Sequence, residues 1–561
     1  VSAGQVLRLS IQSLGDWMDG RNSSETTADQ RIGERAHDET SNSSHSKRKR
    51  SDVRKPHEET PTKLVSNNSG TDRELLDGND NWIRLLGETV FVHGSNPIPK
   101  TDESENTTRL PVAWKCPLSM CVDAQPRHLT YNGRHCVVVG SQGGDVLCAD
   151  IHGSIQWRVR VRGNKIEGAG TVVSGWNDQN DSCLLVSSYN QKNGMGGGDG
   201  GGENRGFLQA FTWKGHHHSE ALDQKQGLLP SDKRVLIMNH PPSPQLVWTK
   251  EFPGELKNKP VYINEEYTIN YQQDGYLRRS GILLGGYDGT ARYLDAVTGD
   301  EIASCNNLGG AIHAEPLIVK GTSHTANDTN DLVTSVIFVS STWQGRVTCL
   351  IVNAQTNALE ESWYMDCWSP IYAKPVLVPK YNSCHDKQQN DHTNASSGAC
   401  EIIPEANPTM LIWGAVDGFV RCADASNGTE IWSVPTSGSP IFTTPCRIET
   451  ETGSPAVVLG SHDGHVRCLN ACDGREQWVF NACGSIVASP ALVRSKNAVA
   501  VATTGGMVFT ICCQSGRMIS KVHNKFPGEI FSSPLVCDEA PGENCCLFVG
   551  CRDSHLYKVW I

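Results

Sequence analysis

The sequence predicts an all-β fold, an eight-bladed β-propeller with four antiparallel strands in each blade. Three observations predict it: a repeated motif, a Trp at a constant place in that motif, and strand-length alternation of apolar and polar residues. The motif is clearest in "GSHDGHVRCLNACDGREQW" (460–478), and it returns in "GAVDGFVRCADASNGTEIW" (414–432) and "GSQGGDVLCADIHGSIQW" (140–157). Self-similarity at a period of forty-odd residues is typical of a propeller or a solenoid.

Each copy contains three predicted strands. The run "AVVLG" (456–460) is short, apolar and β-branched, as a strand in a sheet interior is. An Asp-Gly follows, and this pair predicts a hairpin because both residues accept a positive φ. The next run, "HVRCLNA" (465–471), alternates in polarity like a half-covered strand. A second Gly turn then leads to an outer strand that carries the Trp.

A fourth strand is predicted before each copy, in segments such as "PIFTTP" (440–445), "SIVASP" (485–490) and "EIFSSP" (529–534). A Pro at the end of a strand is tolerated because no ladder donor is needed there. Counting these innermost strands gives eight blades. Their expected starts lie near Cys121, Ile166, Glu255, Ile312, Ile371, Ile441, Ile486 and Ile530.

Blade two contains a long insertion. "GFLQAFTWKG" (206–215) aligns without gaps on the third-strand region of blade one, and a polar stretch, 216–243, then separates it from Trp248. The repeat therefore predicts that the outer strand of blade two resumes at Trp248.

The two ends of the repeat region are predicted to close the ring together. The eighth blade stops at 556–561 without an outer strand, whereas 110–115 has the character of an outer strand without a blade. Pairing the two would remove the exposed edges of an open stack of sheets.

The repeated tryptophans are interpreted as structural residues that dock one blade on the next. A large flat side chain buried between blades stabilises the fold by roughly 2 to 3 kcal/mol. Ala303 in blade three and Ser520 in blade seven occupy the same place. The predicted docking residues are Trp114, Trp157, Trp248, Trp363, Trp432 and Trp478.

These residues carry a family resemblance. The pattern G-x-V-x-C-L-D-A-x-T-G-x-x-x-W is similar to the repeat of quinoprotein-like propellers, the pyrroloquinoline quinone (PQQ) repeat with its tryptophan-docking motif. "GEIFSSPLV" (528–536) and "VGCRDSHLYKV" (549–559), with "PIFTTPC" (440–446), resemble the C-terminal propeller of the β-alanine-activating enzyme family. The resemblance covers residues 110–561.

The resemblance implies a parent enzyme whose catalytic part is not in this sequence. Members of that family are adenylate-forming acid–thiol ligases, which activate β-alanine with ATP and load it as a thioester on a phosphopantetheine carrier. No adenylation domain fits here, and "SIQSLGDWM" (10–18) lacks the carrier's attachment pattern. The chain begins with Val and is expected to be a fragment. It is therefore predicted to have no catalytic, cofactor-binding or metal-binding residues of its own, and its partner is expected to be a protein, a peptide or an acceptor on the propeller axis.

Two alternatives stay open at this point. One is a stand-alone interaction propeller. The other is a PQQ-dependent oxidoreductase, because Cys512–Cys513 and Cys545–Cys546 resemble the vicinal disulfide that stacks on PQQ. Neither pair lies in an expected axial loop, and no calcium-ligand set can be assembled, so PQQ is not expected to bind.

The polar residues of the repeat are assigned to backbone geometry. His462, Asp463 and His465 lie in and around the hairpin turn between the second and third strands. Asp463-Gly464 recurs as Asp288-Gly289 and Asp417-Gly418, which indicates a turn rather than a catalytic group.

The cysteines and histidines do not predict a metal site. No paired Cys-x-x-Cys motifs occur, and consecutive His216–His218 lie in the blade-two insertion without fixed geometry. The glycine-rich stretch 193–206 lacks the Gly-Lys-Ser/Thr of a phosphate loop and is expected to be a hairpin tip. Four cysteines share one repeat position and are interpreted as small buried apolar residues: Cys148, Cys349, Cys422 and Cys468.

The composition divides the chain into three parts. Residues 1–20 are expected to form a short amphipathic segment, either the last helix of a carrier domain or a docking segment. Residues 21–109 are expected to be a disordered linker and 110–561 the propeller. The net charge of −11 disfavours nucleic-acid binding by the propeller, and no apolar run approaches the 18 residues of a membrane span. A cytoplasmic location is predicted, with the basic cluster at 47–55 as a candidate nuclear-import signal.

Overall fold

The computed structural model describes residues 108–561 except 177–180, 191–203, 214–242, 265–279, 323–331, 354–357, 381–408, 452, 523 and 539–544. Eight sheets form within this part of the chain, and each sheet is one blade. Consecutive blades place their innermost strands next to one another around a common axis. The predicted eight-bladed propeller is confirmed. We number the strands of a blade from the axis outward.

The chain first contributes two short strands, β1 (Thr108–Leu110) and β2 (Val112–Pro117). The first four blades follow. Blade one contains β3 (Arg127–Tyr131), β4 (Arg134–Gly140), β5 (Asp145–Asp150) and β6 (Ile155–Arg160). Blade two contains β7 (Thr171–Val173), β8 (Ser182–Asn190), β9 (Arg205–Trp213) and β10 (Gln245–Pro253). Blade three contains β11 (Val261–Ile263), β12 (Gly281–Gly285), β13 (Ala291–Asp295) and β14 (Glu301–Cys305). Blade four contains β15 (Leu317–Thr322), β16 (Leu332–Val339), β17 (Arg346–Asn353) and β18 (Ala358–Asp366).

The remaining blades repeat the arrangement. Blade five contains β19 (Val376–Pro379), β20 (Thr409–Gly414), β21 (Phe419–Asp424) and β22 (Glu430–Pro435). Blade six contains β23 (Cys446–Glu449), β24 (Pro455–Gly460), β25 (His465–Asn470) and β26 (Glu476–Asn481). Blade seven contains β27 (Ala491–Val493), a 3-10 turn (Arg494–Lys496), β28 (Ala498–Ala502), β29 (Val508–Cys512) and β30 (Met518–Val522). Blade eight contains β31 (Leu535–Cys537), β32 (Cys546–Cys551) and β33 (His555–Trp560).

The predicted ring closure is confirmed. β2 pairs antiparallel with β33 and supplies the fourth strand of blade eight, with Val112 opposite Val559. The structure adds a strand that the sequence did not predict, because β1 pairs in parallel with β30 as a fifth strand of blade seven. β1 begins at Thr108, two residues inside the segment predicted as linker. A ten-residue stretch, 108–117, thus completes two blades.

The predicted position of the innermost strands is wrong by about five residues. The predicted segments are bent and carry no regular strand, and the first strand of each blade begins directly after them; seven of the eight end in Pro. Their backbone bonds to the neighbouring blade instead; Ile486 N, for example, donates to Ser461 O at 3.2 Å. We call these connections the axial segments: 121–126, 165–170, 255–260, 311–316, 370–375, 440–445, 485–490 and 529–534.

The core lies between neighbouring blades. Second strands are largely buried, and β24 is buried along its whole length, whereas fourth strands such as β26 alternate between exposed and half-buried residues. Six of the eight axial segments have an Ile as their second residue, and it packs near the end of a second strand of the preceding blade, as Ile486 does beside Gly460. A Cβ on Gly460 would lie 2.3 Å from Cγ2 of Ile486, so this position needs a glycine. The glycine that opens the repeat motif is therefore explained by packing between blades.

Candidate functional site

The axial segments meet in a closed circle. Thr444 N donates to Ser489 Oγ and Ser489 N donates to Ser533 Oγ, both at 2.9 Å, which joins blades six, seven and eight. Ser532 Oγ donates to Ala124 O at 2.8 Å and joins blade eight to blade one. The third residue of every axial segment contributes to what we call the axial ring: Asp123, Glu167, Lys257, His313, Tyr372, Phe442, Val487 and Phe531.

One half of the axial ring is charged and internally paired. Arg552 donates to both carboxylate oxygens of Asp123 at 3.0 Å. The Gln142 amide bridges Asp123 and Glu167 at 3.3 and 3.2 Å. Lys257 lies 3.9 Å from Glu167 and 3.2 Å from Glu255. Burial raises the pKa of Asp123 despite the adjacent Arg552 guanidinium. This half holds its charges in fixed pairs.

The other half of the axial ring is aromatic. The ring of His313 lies 5.3 Å from that of Tyr372, which lies 5.6 Å from Phe442, and Phe442 lies 6.3 Å from His462. Tyr287 hydroxyl and His313 Nδ1 are hydrogen-bonded at 2.8 Å, where the aromatic half meets the charged half. The chain of edge-to-face contacts makes a continuous apolar arc at the axis.

A group of exposed aromatics lies beside this arc on blade four. Trp343, Tyr364 and Trp368 are 50%, 51% and 64% exposed. Trp368 N donates to Gln344 O at 2.9 Å, which places the turn that carries Trp343 beside Trp368. The Arg346 guanidinium stacks on Tyr364, 4.0 Å from the ring centroid. We call these four residues the blade-four aromatic surface.

The backbone of Trp368 supports a special role for this surface. Its φ is +56°, in the left-handed region that a bulky residue adopts only at a cost of about 1 to 3 kcal/mol. Trp368 and Trp343 were not predicted from the sequence, because neither occupies the repeated Trp position. The signal was present in "STWQG" (341–345), which departs from the Asp-Gly turn of blades three, five and six.

The structure places the polar residues of the repeat motif in a turn, as expected. Asp463 Oδ1 accepts the backbone N–H of His465 at 2.9 Å, and Asp463 Oδ2 pairs with Arg467 at 2.7 Å. Burial acts to raise the pKa of Asp463, but Arg467 and the other hydrogen bonds hold it well below its usual range. The same pair recurs as Asp288–Arg292 and Asp417–Arg421. The arginine of this Asp–Arg pair was not predicted from the sequence.

The predicted docking tryptophans lie between blades. Each occupies the fourth strand at a bulge, and Ala303 and Ser520 occupy the equivalent bulges of blades three and seven. Trp432 Nε1 donates to Ala471 O at 3.0 Å, and Trp478 Nε1 donates to Cys513 O at 2.8 Å, each across a blade junction. Five rings pack against a turn glycine of the next blade: Trp114 on Gly153, Trp248 on Gly299, Trp363 on Gly428, Trp432 on Gly474 and Trp478 on Gly516.

Trp157 is the sixth, and it is buried against Tyr131 at 6.1 Å between ring centroids. The repeated cysteines lie directly opposite four of these tryptophans on the third strand, and all four are buried. Burial raises the pKa of Cys349, Cys422 and Cys468 to about 12. These thiols fill space beside the indoles.

The remaining predicted features divide between described and undescribed residues. Cys512, Cys513 and Cys545 are free thiols, and Cys513 O accepts the hydrogen bond from the Trp478 indole at a blade junction. No group of three or more metal-ligating side chains occurs in the described ranges. The parts that lie outside these ranges are the His216–His218 run, the basic cluster at 47–55, the segment 1–20, most of the stretch 193–206, and the segment 21–109 up to residue 107.

No helix among the described residues has the length and apolar character needed to cross a bilayer.

Comparison with known proteins finds a similar repeat in part of the chain. Residues 394–528, about a quarter of the chain, match the family model described as outer membrane protein assembly factor BamB. A β-alanine-activating enzyme of Danio rerio is 26% identical over 148 residues. That match covers 26% of this chain and 9% of the relative, so the chain spans about a tenth of that relative.

The fold is similar to that of a solved structure. Sqt1 of Saccharomyces cerevisiae superposes with a TM-score of 0.51 at 9% identity, over 82% of this chain and 99% of that one. BamB of Moraxella catarrhalis gives a TM-score of 0.47 at 16% identity, over 81% of this chain and 98% of that one. Residues 394–528 carry a BamB-like repeat, and the described part of the chain has the β-propeller fold.

Proposed function

We propose that this chain is a non-catalytic propeller that binds a protein partner through the blade-four aromatic surface and the adjacent aromatic half of the axial ring. The observation that carries the proposal is the exposure of Trp343, Tyr364 and Trp368 on one blade. The turn that carries Trp343 bonds to the Trp368 backbone, and Arg346 stacks on Tyr364. Trp, Tyr and Arg dominate the binding energy of protein interfaces, and clustered exposed aromatics mark interaction sites.

The axial ring extends this surface toward the axis. Tyr372 lies four residues after Trp368, within the axial segment 370–375. Its ring packs against that of Phe442 in the aromatic arc. A partner seated on blade four would therefore also cover the aromatic half of the ring. The charged half is already paired, so it contributes polarity at the rim of the interface rather than free charge.

The partner we propose is the adenylation and carrier portion of an ATP-dependent amino-acid-activating enzyme. The support is the sequence match to the β-alanine-activating enzyme, which covers a small part of that protein. In this role the propeller would supply binding, while the partner would hold ATP, the amino acid and the phosphopantetheine thioester. The chain itself has no catalytic assignment.

The test mixes the purified chain with the adenylation–carrier portion of the Danio rerio relative and measures binding by calorimetry. We expect a complex that a Trp343→Ala/Trp368→Ala double variant weakens at least tenfold. Leu246→Ala, at an exposed residue of blade two, is the matched control and should bind like the unmodified chain. Absence of a complex, or equal loss in the control, would contradict the proposed partner.

A second measurement tests the non-catalytic assignment. ATP–pyrophosphate exchange with β-alanine should stay at background for the chain alone. Exchange that depends on this chain would show that it carries adenylating chemistry of its own.

A further inference from the structure

Four charged side chains from four blades meet inside the ring, close to the prolines that end the axial segments. Arg127 reaches across from blade one to Glu315 of blade four, with Nη2 3.8 Å from Oε2. Lys259 of blade three lies 3.3 Å from the same oxygen. Lys374 of blade five bonds the other oxygen, Oε1. We call these four residues the channel cluster.

The channel cluster contains more positive than negative charge. Three cations converge on one carboxylate, and side-chain exposure ranges from 15% for Glu315 to 28% for Lys374. Burial lowers the pKa of Lys259 and of Arg127, because removing these cations from water disfavours their charged forms. Buried charges are normally paired, so two of the three positive charges lack a balancing charge here.

An orphaned donor points to the same conclusion. Arg127 Nε is buried and has no hydrogen-bond acceptor within the described part of the chain. A guanidinium normally uses its fork of donors on a carboxylate or a phosphate. Glu315 takes only one edge of this guanidinium, through Nη2.

Three other acids of the axial segments do not supply the missing charge. Asp123 pairs with Arg552, and Glu167 and Glu255 pair with Lys257. At the position of Glu315 and Lys374, four other axial segments carry small or neutral polar residues: Gln125, Thr444, Ser489 and Ser533. The wall that faces the cluster is thus polar and uncharged.

We propose that the channel cluster is a binding site for a small oxyanion, a phosphate or carboxylate group held by Arg127, Lys259 and Lys374. The anion would supply the charge that Glu315 alone does not, and it would give Arg127 Nε an acceptor. Charge-assisted hydrogen bonds of this kind are about twice as strong as neutral ones. The site is separate from the blade-four aromatic surface, so either proposal can fail without the other.

The experiment titrates the full chain with inorganic phosphate and, separately, with acetate, at constant ionic strength set by chloride, using calorimetry. We expect saturable binding of at least one oxyanion above the chloride background. The arm that binds distinguishes phosphate from carboxylate as the ligand chemistry. Lys259→Gln and Lys374→Gln should each weaken binding at least tenfold.

Glu315→Gln is the decisive variant, because its anion affinity should change in the opposite direction. Removing the competing carboxylate should tighten anion binding, whereas the lysine variants should weaken it. Lys250→Gln, which breaks the more exposed pair with Asp300, is the matched control and should bind like the unmodified chain. Binding no stronger than chloride, or a Glu315→Gln variant that loses affinity while its melting temperature is retained, would overturn the proposal. If the lysine variants fail to fold, the unmodified chain and Glu315→Gln still decide the question.

Discussion

Lys558 and Trp114 donate hydrogen bonds to the same carbonyl oxygen, that of Ile151 in blade one. The distances are 2.8 Å from Nζ and 3.0 Å from Nε1. Both side chains belong to blade eight and lie directly opposite each other in its sheet. The two ends of the repeat region therefore dock on blade one together, and the closing junction depends on both.

Deleting residues 1–118 should destabilise the propeller, whereas deleting 1–105 should not. The longer deletion removes β1 and β2, exposes the edges of β30 and β33, and loses the buried Trp114, which alone contributes roughly 2 to 3 kcal/mol. Open edges also favour aggregation. The measurement compares melting temperature and solubility of the two truncations.

A third truncation, of residues 1–111, isolates the contribution of β1. It leaves β2 in place and should give a melting temperature between the other two. Identical melting of all three proteins would show that neither strand holds the ring closed.

Trp432→Ala should lower the free energy of unfolding by about 2 to 3 kcal/mol, the value for burying a large aromatic side chain. The change removes the packing on Gly474 and leaves Ala471 O without its indole donor. Trp343→Ala, at a half-exposed residue, is the control and should change stability by less than about 0.5 kcal/mol. Urea unfolding measures both, and equal losses would contradict the docking role.

Stability should fall on the acid side because of Glu315. Burial acts to raise the pKa of this carboxyl, but Lys374, Lys259 and Arg127 together lower it to about 2 in the fold. The ionised Glu315 therefore stabilises the fold fully when the pH is above its unfolded-state pKa of about 4.3. This stabilisation is lost as the pH falls toward about 2. The contribution is at most about 3 kcal/mol.

The acid prediction is tested by measuring the free energy of unfolding between pH 6 and pH 3. Glu315→Gln should flatten the curve below pH 4.5. Glu449→Gln, at an exposed carboxylate paired with Arg447, should leave the slope unchanged. An unchanged slope for Glu315→Gln would mean that this group does not titrate as inferred.

PQQ should not bind the chain, with or without Ca²⁺. Cys513 lies at a blade junction, where its carbonyl oxygen accepts a hydrogen bond from the Trp478 indole. The acids of the axial ring are paired with Arg552 and Lys257. A fluorescence titration of PQQ in the presence of Ca²⁺ measures this. A stoichiometric micromolar complex would restore the oxidoreductase alternative.

The blade count, the order of the strands and the closure by β2 could be predicted because each depends on a local pattern that repeats. The positions of the docking tryptophans could be predicted from the same repeat. So could the replacement of this Trp by Ala303 in blade three and by Ser520 in blade seven. The innermost strands were misplaced because an Ile-to-Pro segment has strand-like residues. Whether such a segment forms a strand depends on which backbone groups of the neighbouring blade it hydrogen-bonds. Ile486 N, for example, donates to Ser461 O.

The candidate sites were beyond prediction for a related reason. The channel cluster joins Arg127 to Glu315, far apart in sequence and on different blades, so no spacing reveals it. The left-handed backbone of Trp368 is likewise set by its bond to Gln344 O. β1 is only three residues long and pairs with blade seven, so no periodicity identifies it.

The joint completion of blades seven and eight by residues 108–117 has a consequence for biosynthesis. The ribosome makes this stretch before any blade, whereas its partners β30 and β33 belong to the last two blades of the ring. β1 and β2 therefore stay unpaired until those two blades have been made. Until then the nascent ring exposes unpaired backbone at its edges, so its long-range closure is the step at which aggregation competes with folding.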